Sequence, residues 1–177
     1  IRDAGYMKFI PEAASKLMAK YKLSPKDFAK VAFYGPDIRT HGRIARQMGF
    51  APEQVQDPLL TTIGNTGVAS SLMMLVAALE DAKPGDKILV ISYGNGSDAL
   101  YFQVTEEIEQ ARDRRGIKRH LASKRPLLSY EKYIRFRDLL PLEAGARATP
   151  RDTSMAALWR EHREILALVG SKCKRCG

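Results

Sequence analysis

The chain has 177 residues, of which 45% are hydrophobic, and a formal net charge of +9. This length suits one globular domain with an appendage, and the sequence contains no apolar run of 18 or more residues, which excludes a membrane-spanning helix. Two cysteines, Cys173 and Cys176, are too few for a disulfide-framed secreted domain, so we expect a reducing, cytoplasmic setting.

The periodicity of the first 63 residues predicts two helices, one buried strand and one extended segment. The helices cover residues 11–21 and 39–48, the strand residues 30–34 and the extended segment residues 59–63. Ser24 followed by Pro25 predicts the start of a short helical turn, and Gly49 predicts the end of the second helix.

The region from residue 64 to residue 105 has the clearest pattern. Residues 68–82 are rich in Ala, Leu and Met on nearly every face, which predicts a buried helix. Residues 87–93 predict a strand that is apolar on both faces, joined by the glycine-rich turn 94–97 to a second strand over 98–105. Alternation of this kind favours an α/β fold with helices packed on a sheet.

Beyond residue 105 the sequence becomes charged, and amphipathic helices are predicted over 130–140 and 155–169. We therefore expect an α/β unit over 1–108, a basic linker over 109–126 and a helical segment over 127–177. The chain opens on an isoleucine and stops directly after a cysteine pair, so we also expect it to be a piece of a longer polypeptide.

Most of the positive charge lies between Arg112 and Arg137. This stretch holds ten Lys or Arg and two acidic residues, and so supplies +8 of the net charge of +9. It can bind nucleic acid, a polyphosphate such as CoA or an acidic partner, or it can be a solvated linker. Because the stretch contains no recognisable reading motif, nucleic acid is the partner that we expect least.

Two glycine-flanked segments are candidate binding sites. Gly64 and Asn65 precede the buried helix, where an amide and backbone N–H groups can stabilise an oxyanion, although Asn65 can equally cap the helix. Gly94, Asn95 and Gly96 join two strands, where glycine lets a ligand approach the backbone; a plain hairpin turn explains the same residues.

Tyr34 and His41 are two further candidates. Tyr34 follows the predicted strand 30–34, and α/β sheets place ligands at strand ends. A phenol has an ordinary pKa of about 10, so Tyr34 would act as a hydrogen-bond donor near neutral pH, or it would belong to an ordinary turn. His41 is expected to be a surface residue.

Cys173 and Cys176 form the most specific short motif, CxxC followed by glycine. Two thiolates at this spacing predict one zinc knuckle, and a tetrahedral zinc ion needs two more ligands from outside this pair. The alternatives are a redox pair or a chance pair.

Two runs together resemble the C-terminal half of hydroxymethylglutaryl-CoA synthase and the wider thiolase and β-ketoacyl synthase superfamily. They are FYGPDIRTHGRIARQMGF and IGNTGVASSLMMLVAALEDAKPGDKILVISYGNGSDALYFQVT, and the resemblance covers about residues 6–105. It implies a layered thiolase-like fold and an acyl-CoA substrate. It further implies that Asn65 stabilises the thioester oxyanion beside a substrate contact at Gly64 and the loop Gly94, Asn95 and Gly96.

The chain departs from the family pattern at Tyr34. The family places a catalytic histidine there, within Phe-His-x-Pro, and a phenol is poorly matched to cycling a proton near neutral pH. The family's nucleophilic cysteine lies in the N-terminal half, and neither Cys173 nor Cys176 can replace it.

Two functional hypotheses therefore stand. One is an acyl-CoA condensing or acyl-transferring protein in which this chain supplies the oxyanion-side residues Asn65 and Tyr34. The other is a non-catalytic thiolase-fold scaffold that binds acyl-CoA or a thiolase partner. The resemblance also implies pairing with the N-terminal half of the same protein and a homodimer or a thiolase-like partner subunit.

Residues 125–177 resemble the start of an OB-fold protein with an N-terminal rubredoxin-like zinc ribbon. This resemblance rests on YEKYIRFRDLLP and LVGSKCKRCG. It implies a structural zinc ion, half of whose site belongs to this chain.

Overall fold

A computed structural model describes residues 2–140, 154–167 and 174–175. The chain divides into two compact units, Ile1–Arg125 and Pro126–Gly177. The main helices of the first unit are α1 (Met7–Tyr21), α2 (Ile38–Gln47), α3 (Ser70–Leu79), α4 (Ile108–Ala111) and α5 (Ile117–Ala122). Its strands are β1 (Lys30–Phe33), β2 (Lys87–Gly94) and β3 (Gly96–Gln103).

The helix ends follow from local capping. The Asp37 side chain accepts a hydrogen bond from the Thr40 N–H at 2.8 Å and so caps the start of α2. At the end of α1, Lys22 takes a left-handed conformation with φ of 54°, and its N–H donates to the last carbonyls of the helix. The two helices predicted before residue 64 are thus confirmed, α1 beginning four residues earlier than predicted.

The three strands form one sheet in the order β1-β2-β3. Strand β1 is parallel to β2, with Phe33 paired to Ile91, and β2 is antiparallel to β3, with Gly94 paired to Gly96. The predicted buried strand and the predicted hairpin are therefore confirmed.

Helices cover both faces of this sheet. Alternate strand residues such as Val31 and Leu89 pack in one core with α1 and α2. Their neighbours Ala32 and Ile88 pack in a second core with Met74 of α3. Burial on both faces explains why β2 reads as a continuous apolar run.

Two local predictions are wrong. The segment 59–63 is a turn and not an extended segment, because the Ile63 N–H donates to the Leu59 carbonyl at 2.8 Å. His41 is not a surface residue: it is 3% exposed and stacks on Phe33 with a ring distance of 4.1 Å.

Helix α3 is buried on one side only. Ser71, Met74 and Ala78 are buried against the sheet, whereas Leu72 is 59% exposed and Val68, just before the helix, is 93% exposed. The predicted helix is therefore confirmed, but only the half of its surface that faces the sheet is buried. The exposed apolar residues form a face that no described element of this unit covers.

The expected basic linker contains ordered contacts with the α/β unit. Arg112 donates to the Ala82 carbonyl at 2.8 Å and pairs with Glu109 at 2.7 Å. Lys118 pairs with Asp81 at the end of α3. These contacts hold α4 and α5 near the C-terminal end of α3. They also pair part of the linker's positive charge with carboxylates of the same unit.

The second unit contributes two described helices, α6 (Tyr130–Phe136) and α7 (Met155–Ala167). Both carry exposed aromatic side chains, with Phe136 72% and Trp159 77% exposed. The predicted zinc ligands Cys173 and Cys176 lie outside the described residues. Within the described ranges, no helix has the length and apolar character needed to cross a bilayer.

Candidate functional site

The site lies where β1 and β2 end. Because the two strands are parallel, their carboxyl ends meet at the same edge of the sheet. Tyr34 directly follows β1, and its N–H donates to the Ile91 carbonyl of β2 at 3.4 Å. Gly94 is the last residue of β2. This register places the Tyr34 side chain and the Gly94 backbone on one rim.

Asn65 reaches this rim from the loop before α3. Its Oδ1 accepts a hydrogen bond from the Gly67 N–H at 2.8 Å, which fixes the orientation of the amide. Its Nδ2 donates to the Tyr34 hydroxyl oxygen at 3.1 Å. Gly67 has a φ of 59°, a conformation that favours glycine, so the residue type supports the turn that aims Asn65 at Tyr34.

A cleft of about 170 Å³ opens beside these residues. Its lining consists of Tyr34, Gly67, Val68, Ser71, Ser92, Tyr93, Gly94 and Asp98. Ser71 is buried, and its hydroxyl donates to the Ile91 carbonyl at 3.0 Å, which ties the first turn of α3 to β2. The Ser71 hydroxyl proton is engaged in this bond, whereas the Tyr34 hydroxyl and the second Asn65 Nδ2 hydrogen are donors that the rim can offer, beside the hydroxyls of Ser92 and Tyr93.

The structure brings three of the predicted site residues together, and two others lie beside them without lining the cleft. Tyr34 and Asn65 are hydrogen bonded, and Gly94 lines the same cleft as Tyr34. Asn95 and Gly96 lie at the exposed tip of the hairpin, next to Gly94, and are not among the residues that line the described cleft. Their role in substrate binding stays a prediction.

Gly64 has its place in the loop and not in the lining. It precedes Asn65 with a φ of 92°, and a Cβ built on it would meet no atom within 4 Å. It therefore shapes the backbone that presents Asn65, and its contact with substrate also stays a prediction.

Sequence reasoning missed Ser71, Tyr93 and Asp98, which line the cleft, and Tyr6, whose ring packs on Tyr93 at 4.3 Å. Tyr93 and Asp98 flank the glycine-rich turn on facing strands, so the hairpin register could have identified them. Tyr6 carries no comparable signal, because it is distant in sequence from every other residue of the site.

His41 lies next to the site, where its ring stacks on Phe33 at the end of β1. Burial lowers the pKa of His41 to about 4, so the ring is neutral near pH 7. Its Nε2 is buried with no hydrogen-bond partner among the described residues. Across the described ranges, no three His, Cys, Asp or Glu side chains are grouped closely enough to hold a metal ion.

Residues 18–101 match the family described as the C-terminal domain of 3-oxoacyl-[acyl-carrier-protein] synthase III. The crystal structure of 3-oxoacyl-[acyl-carrier-protein] synthase III from Aquifex aeolicus superposes on the chain with a TM-score of 0.52 and 20% identity, covering 58% of this chain and 34% of that one. Residues 18–101 carry a thiolase-type C-terminal domain. The thiolase-type domain thus contains Tyr34, Asn65 and Gly94.

Sequence relatives of the thiolase-type domain include hydroxymethylglutaryl-CoA synthases. The synthase of Methanopyrus kandleri is 41% identical over 138 residues, which cover 76% of this chain and 39% of the synthase. The synthase of Aeropyrum pernix is 38% identical over 141 residues, which cover 78% of this chain and 39% of that protein. The chain therefore spans about two fifths of the length of these relatives.

Proposed function

We propose that this chain is the C-terminal part of an acyl-CoA condensing enzyme of the hydroxymethylglutaryl-CoA synthase type and supplies its oxyanion-side residues. The observation that carries this proposal is the 3.1 Å hydrogen bond from Asn65 Nδ2 to the Tyr34 hydroxyl oxygen, at the rim that Gly94 also forms. The likeness to hydroxymethylglutaryl-CoA synthases supports it.

The chemistry follows from the donors at the rim. A thioester carbonyl placed in the cleft would accept hydrogen bonds from the Tyr34 hydroxyl and from the second Nδ2 hydrogen of Asn65. Both donors are held before the reaction begins, so they stabilise the negative charge that develops on the oxygen without reorganising. The acyl group itself would be carried by a cysteine nucleophile supplied outside this chain, as the family resemblance implies.

A thioester-trapping assay on the whole protein tests the proposal. The protein is incubated with radiolabelled acetyl-CoA and quenched in acid, and we expect protein-bound label that hydroxylamine releases. Asn65→Asp keeps an acceptor for the Gly67 N–H but loses the donor, so condensation should fall about 10²- to 10³-fold while the acyl-enzyme still forms.

The matched control is Thr61→Ala, an exposed residue of the same loop, which should leave condensation unchanged. If the wild-type protein binds CoA measurably but acquires no label, the hypothesis that it is an enzyme is contradicted.

That contrary result would support a non-catalytic scaffold that binds acyl-CoA. Tyr34 is the observation that favours the scaffold, because a phenol stands where the resembled family has its histidine. In that case Asn65→Asp should weaken acyl-CoA binding, measured by calorimetry, without any covalent labelling of the protein.

The exposed face of α3 supports a partner over this half of the molecule. Val68 and Leu72 are 93% and 59% exposed, and a contiguous apolar face of this kind marks an interaction surface. We propose that the N-terminal half of the same protein covers it and that the whole protein forms a homodimer. Urea unfolding of the whole protein should show a lower midpoint for Leu72→Lys but not for Ile38→Lys, a 56% exposed position on α2. Light scattering on the whole protein should show a dimer, and a monomer would contradict the proposed homodimer.

We also propose that the C-terminal residues begin a zinc ribbon of an OB-fold domain in a cytoplasmic protein. The donor set fits in part: two thiolates from Cys173 and Cys176 can hold half of a tetrahedral zinc site. Zinc content by atomic absorption should be about one ion per whole protein and should fall on Cys173→Ser. Equal zinc content in both proteins would contradict the knuckle.

A further inference from the structure

A second cavity lies at the other end of α3 from the cleft. The cleft borders Ser71 in the first turn of α3, whereas this cavity borders Leu79 and Glu80, where the helix ends. Its volume is about 510 Å³, within the range of small-molecule sites. The two cavities share no lining residue, and a helix of ten residues spans about 15 Å. We call this second cavity the basic groove; it is lined by residues of α3, α4, α5 and the segment between α4 and α5.

One part of the lining of the basic groove is apolar. Val76 and Leu79 contribute from α3, and Ile108 and Ala111 contribute from α4. Val76 is 41% exposed, although its side chain is aliphatic. Ile108 also packs against the core on this face of the sheet, so this wall belongs to the folded core. The groove thus offers apolar surface that an apolar group of a ligand can remove from water.

The other part of the lining is basic. It contains the five cations Arg112, Arg114, Arg115, Lys118 and Arg119. Three of them are neutralised by carboxylates, in the pairs Arg112–Glu109, Lys118–Asp81 and Arg119–Asp113. Within the described ranges, Arg114 and Arg115 have no carboxylate partner, and Arg115 donates to the Ser123 hydroxyl oxygen at 2.6 Å. Two guanidinium groups are therefore available to an anion.

Tertiary contacts build the groove. Helices α4 and α5 have four and six residues, too few to be stable alone. Both carboxylate oxygens of Glu80 accept from the Lys118 N–H at 3.2 Å, and a Cβ built on Gly116 would lie 2.5 Å from Glu80 Oε1. Arg112 donates to the Ala82 carbonyl at 2.8 Å. The glycine lets the chain pass this close to Glu80, and these contacts hold both helices against the end of α3.

We infer that the basic groove binds a small amphiphilic anion, with its phosphate or carboxylate head on Arg114 and Arg115 and its apolar part on Val76 and Leu79. The planar guanidinium presents paired N–H donors that match the oxygens of either head. An anion without an apolar part would leave the aliphatic side chains in water, and a neutral apolar molecule would leave both guanidinium groups without a partner. Fatty acids and alkyl phosphates share the required chemistry.

Calorimetry on the whole protein tests the inference with four probes below their micelle concentrations. Octyl phosphate and octanoate carry the same chain on two different heads, octan-1-ol lacks the charge, and inorganic phosphate lacks the chain. We expect octyl phosphate or octanoate to bind at least about tenfold more tightly than octan-1-ol and inorganic phosphate, since both parts of the lining contribute. The tighter of the two amphiphiles identifies the head as a phosphate ester or a carboxylate.

Substitutions in the groove assign the binding to it. Arg114→Gln and Arg115→Gln should each weaken binding of the tighter amphiphile about three- to tenfold, because both side chains are exposed and their charge is partly screened by solvent. Glu80→Gln keeps an oxygen for the Lys118 N–H but removes the one carboxylate of the described lining, so it should tighten binding. Val76→Thr should weaken binding of the amphiphile about twofold and leave inorganic phosphate unaffected.

Arg43→Gln is the matched control. Arg43 is an exposed arginine of α2, which packs on the other face of the sheet, so its loss changes the net charge equally but should leave the affinity unchanged. Urea midpoints equal to that of the wild type would show that the variants are folded. The inference is overturned if neither amphiphile binds, if inorganic phosphate binds as tightly as octyl phosphate, or if Arg43→Gln weakens binding as much as Arg114→Gln. None of these results depends on condensation.

Discussion

Gly35 is the position where the fold of the site is most sensitive to one added carbon. Gly35 is buried between β1 and α2, and a Cβ built on it would lie 2.9 Å from His41 Cβ and 3.2 Å from His41 Cα. Neither atom is the far end of a flexible side chain. The His41 ring also stacks on Phe33 at 4.1 Å, so the side chain cannot move aside without losing that contact. In Gly35→Ala the first turn of α2 must therefore move away from the sheet.

The magnitude follows from two opposing effects. Overpacking a core of this kind costs about 1 to 3 kcal/mol. Replacing glycine by alanine restricts the unfolded chain and returns about 0.4 to 1 kcal/mol, since Gly35 is not among the glycines with positive φ. We expect Gly35→Ala to lower the free energy of unfolding by about 1 to 2 kcal/mol. Because Tyr34 is the preceding residue, we also expect condensation to fall.

Equilibrium urea unfolding measures this change, and Gly42→Ala is the matched control. Gly42 lies on the same helix, and a Cβ built there meets no atom within 4 Å, so alanine should raise stability by about 0.5 to 1 kcal/mol through helix propensity. The two substitutions thus have opposite signs. If Gly35→Ala unfolds at the same or a higher urea concentration than the wild type, the steric reasoning is refuted.

Three further changes probe the supports of the site, each by urea unfolding. Burial lowers the pKa of His41 from 6.5 to about 4, so between these pH values the unfolded chain binds more protons than the folded one. The free energy of unfolding should therefore fall by about 3 kcal/mol as the pH drops from 6.5 to 4. His41→Gln should flatten this pH dependence. Asp37→Ala removes the cap that accepts from the Thr40 N–H and should cost about 1 kcal/mol, with Asp37→Asn retaining most of it. Lys22→Gly should stabilise by about 1 kcal/mol, because the φ of 54° there is costly for any residue with a Cβ; an unchanged midpoint would contradict this.

The layered part of the fold could be predicted because its pattern is local. Strand β2 is apolar at consecutive positions, and the structure buries Leu89 in one core and Val90 in the other. Apolar residues on both faces have this meaning only in a strand covered on both sides. The glycine-rich turn likewise predicted the hairpin of β2 and β3, since a short turn with glycine leaves few other connections.

The errors arise where tertiary contacts decide. The segment 59–63 has strand-forming residue types, but the one bridge near it joins Val55 to Val31, and Leu59 turns the chain with a φ of 60°. His41 reads as polar, yet the close approach of Gly35 and the flat face of Phe33 bury it. Neither contact partner can be inferred from the residue type of His41.

The site was predictable as a set of weak signals but not as an arrangement. Tyr34 and Asn65 are 31 residues apart, and no periodicity relates them. The parallel pairing of β1 with β2 and the turn at Gly67 bring them together. The packing of Tyr6 on Tyr34 and Tyr93 could not be predicted, because Tyr6 is distant from both in sequence.

The donors at this rim constrain the chemistry that the chain can support. Asn65 and Tyr34 present hydrogens, and such groups polarise a carbonyl but do not remove a proton near neutral pH. Asp98 is the one carboxylate in the described cleft lining and so the one group there suited to accept a proton. An imidazole could serve both purposes; in the proposed enzyme they would be divided between Tyr34 and either Asp98 or a group outside the chain. In the condensing step that we propose, this half would therefore serve chiefly to stabilise the thioester oxygen, and the Asn65–Tyr34 hydrogen bond is the observation that supports this role.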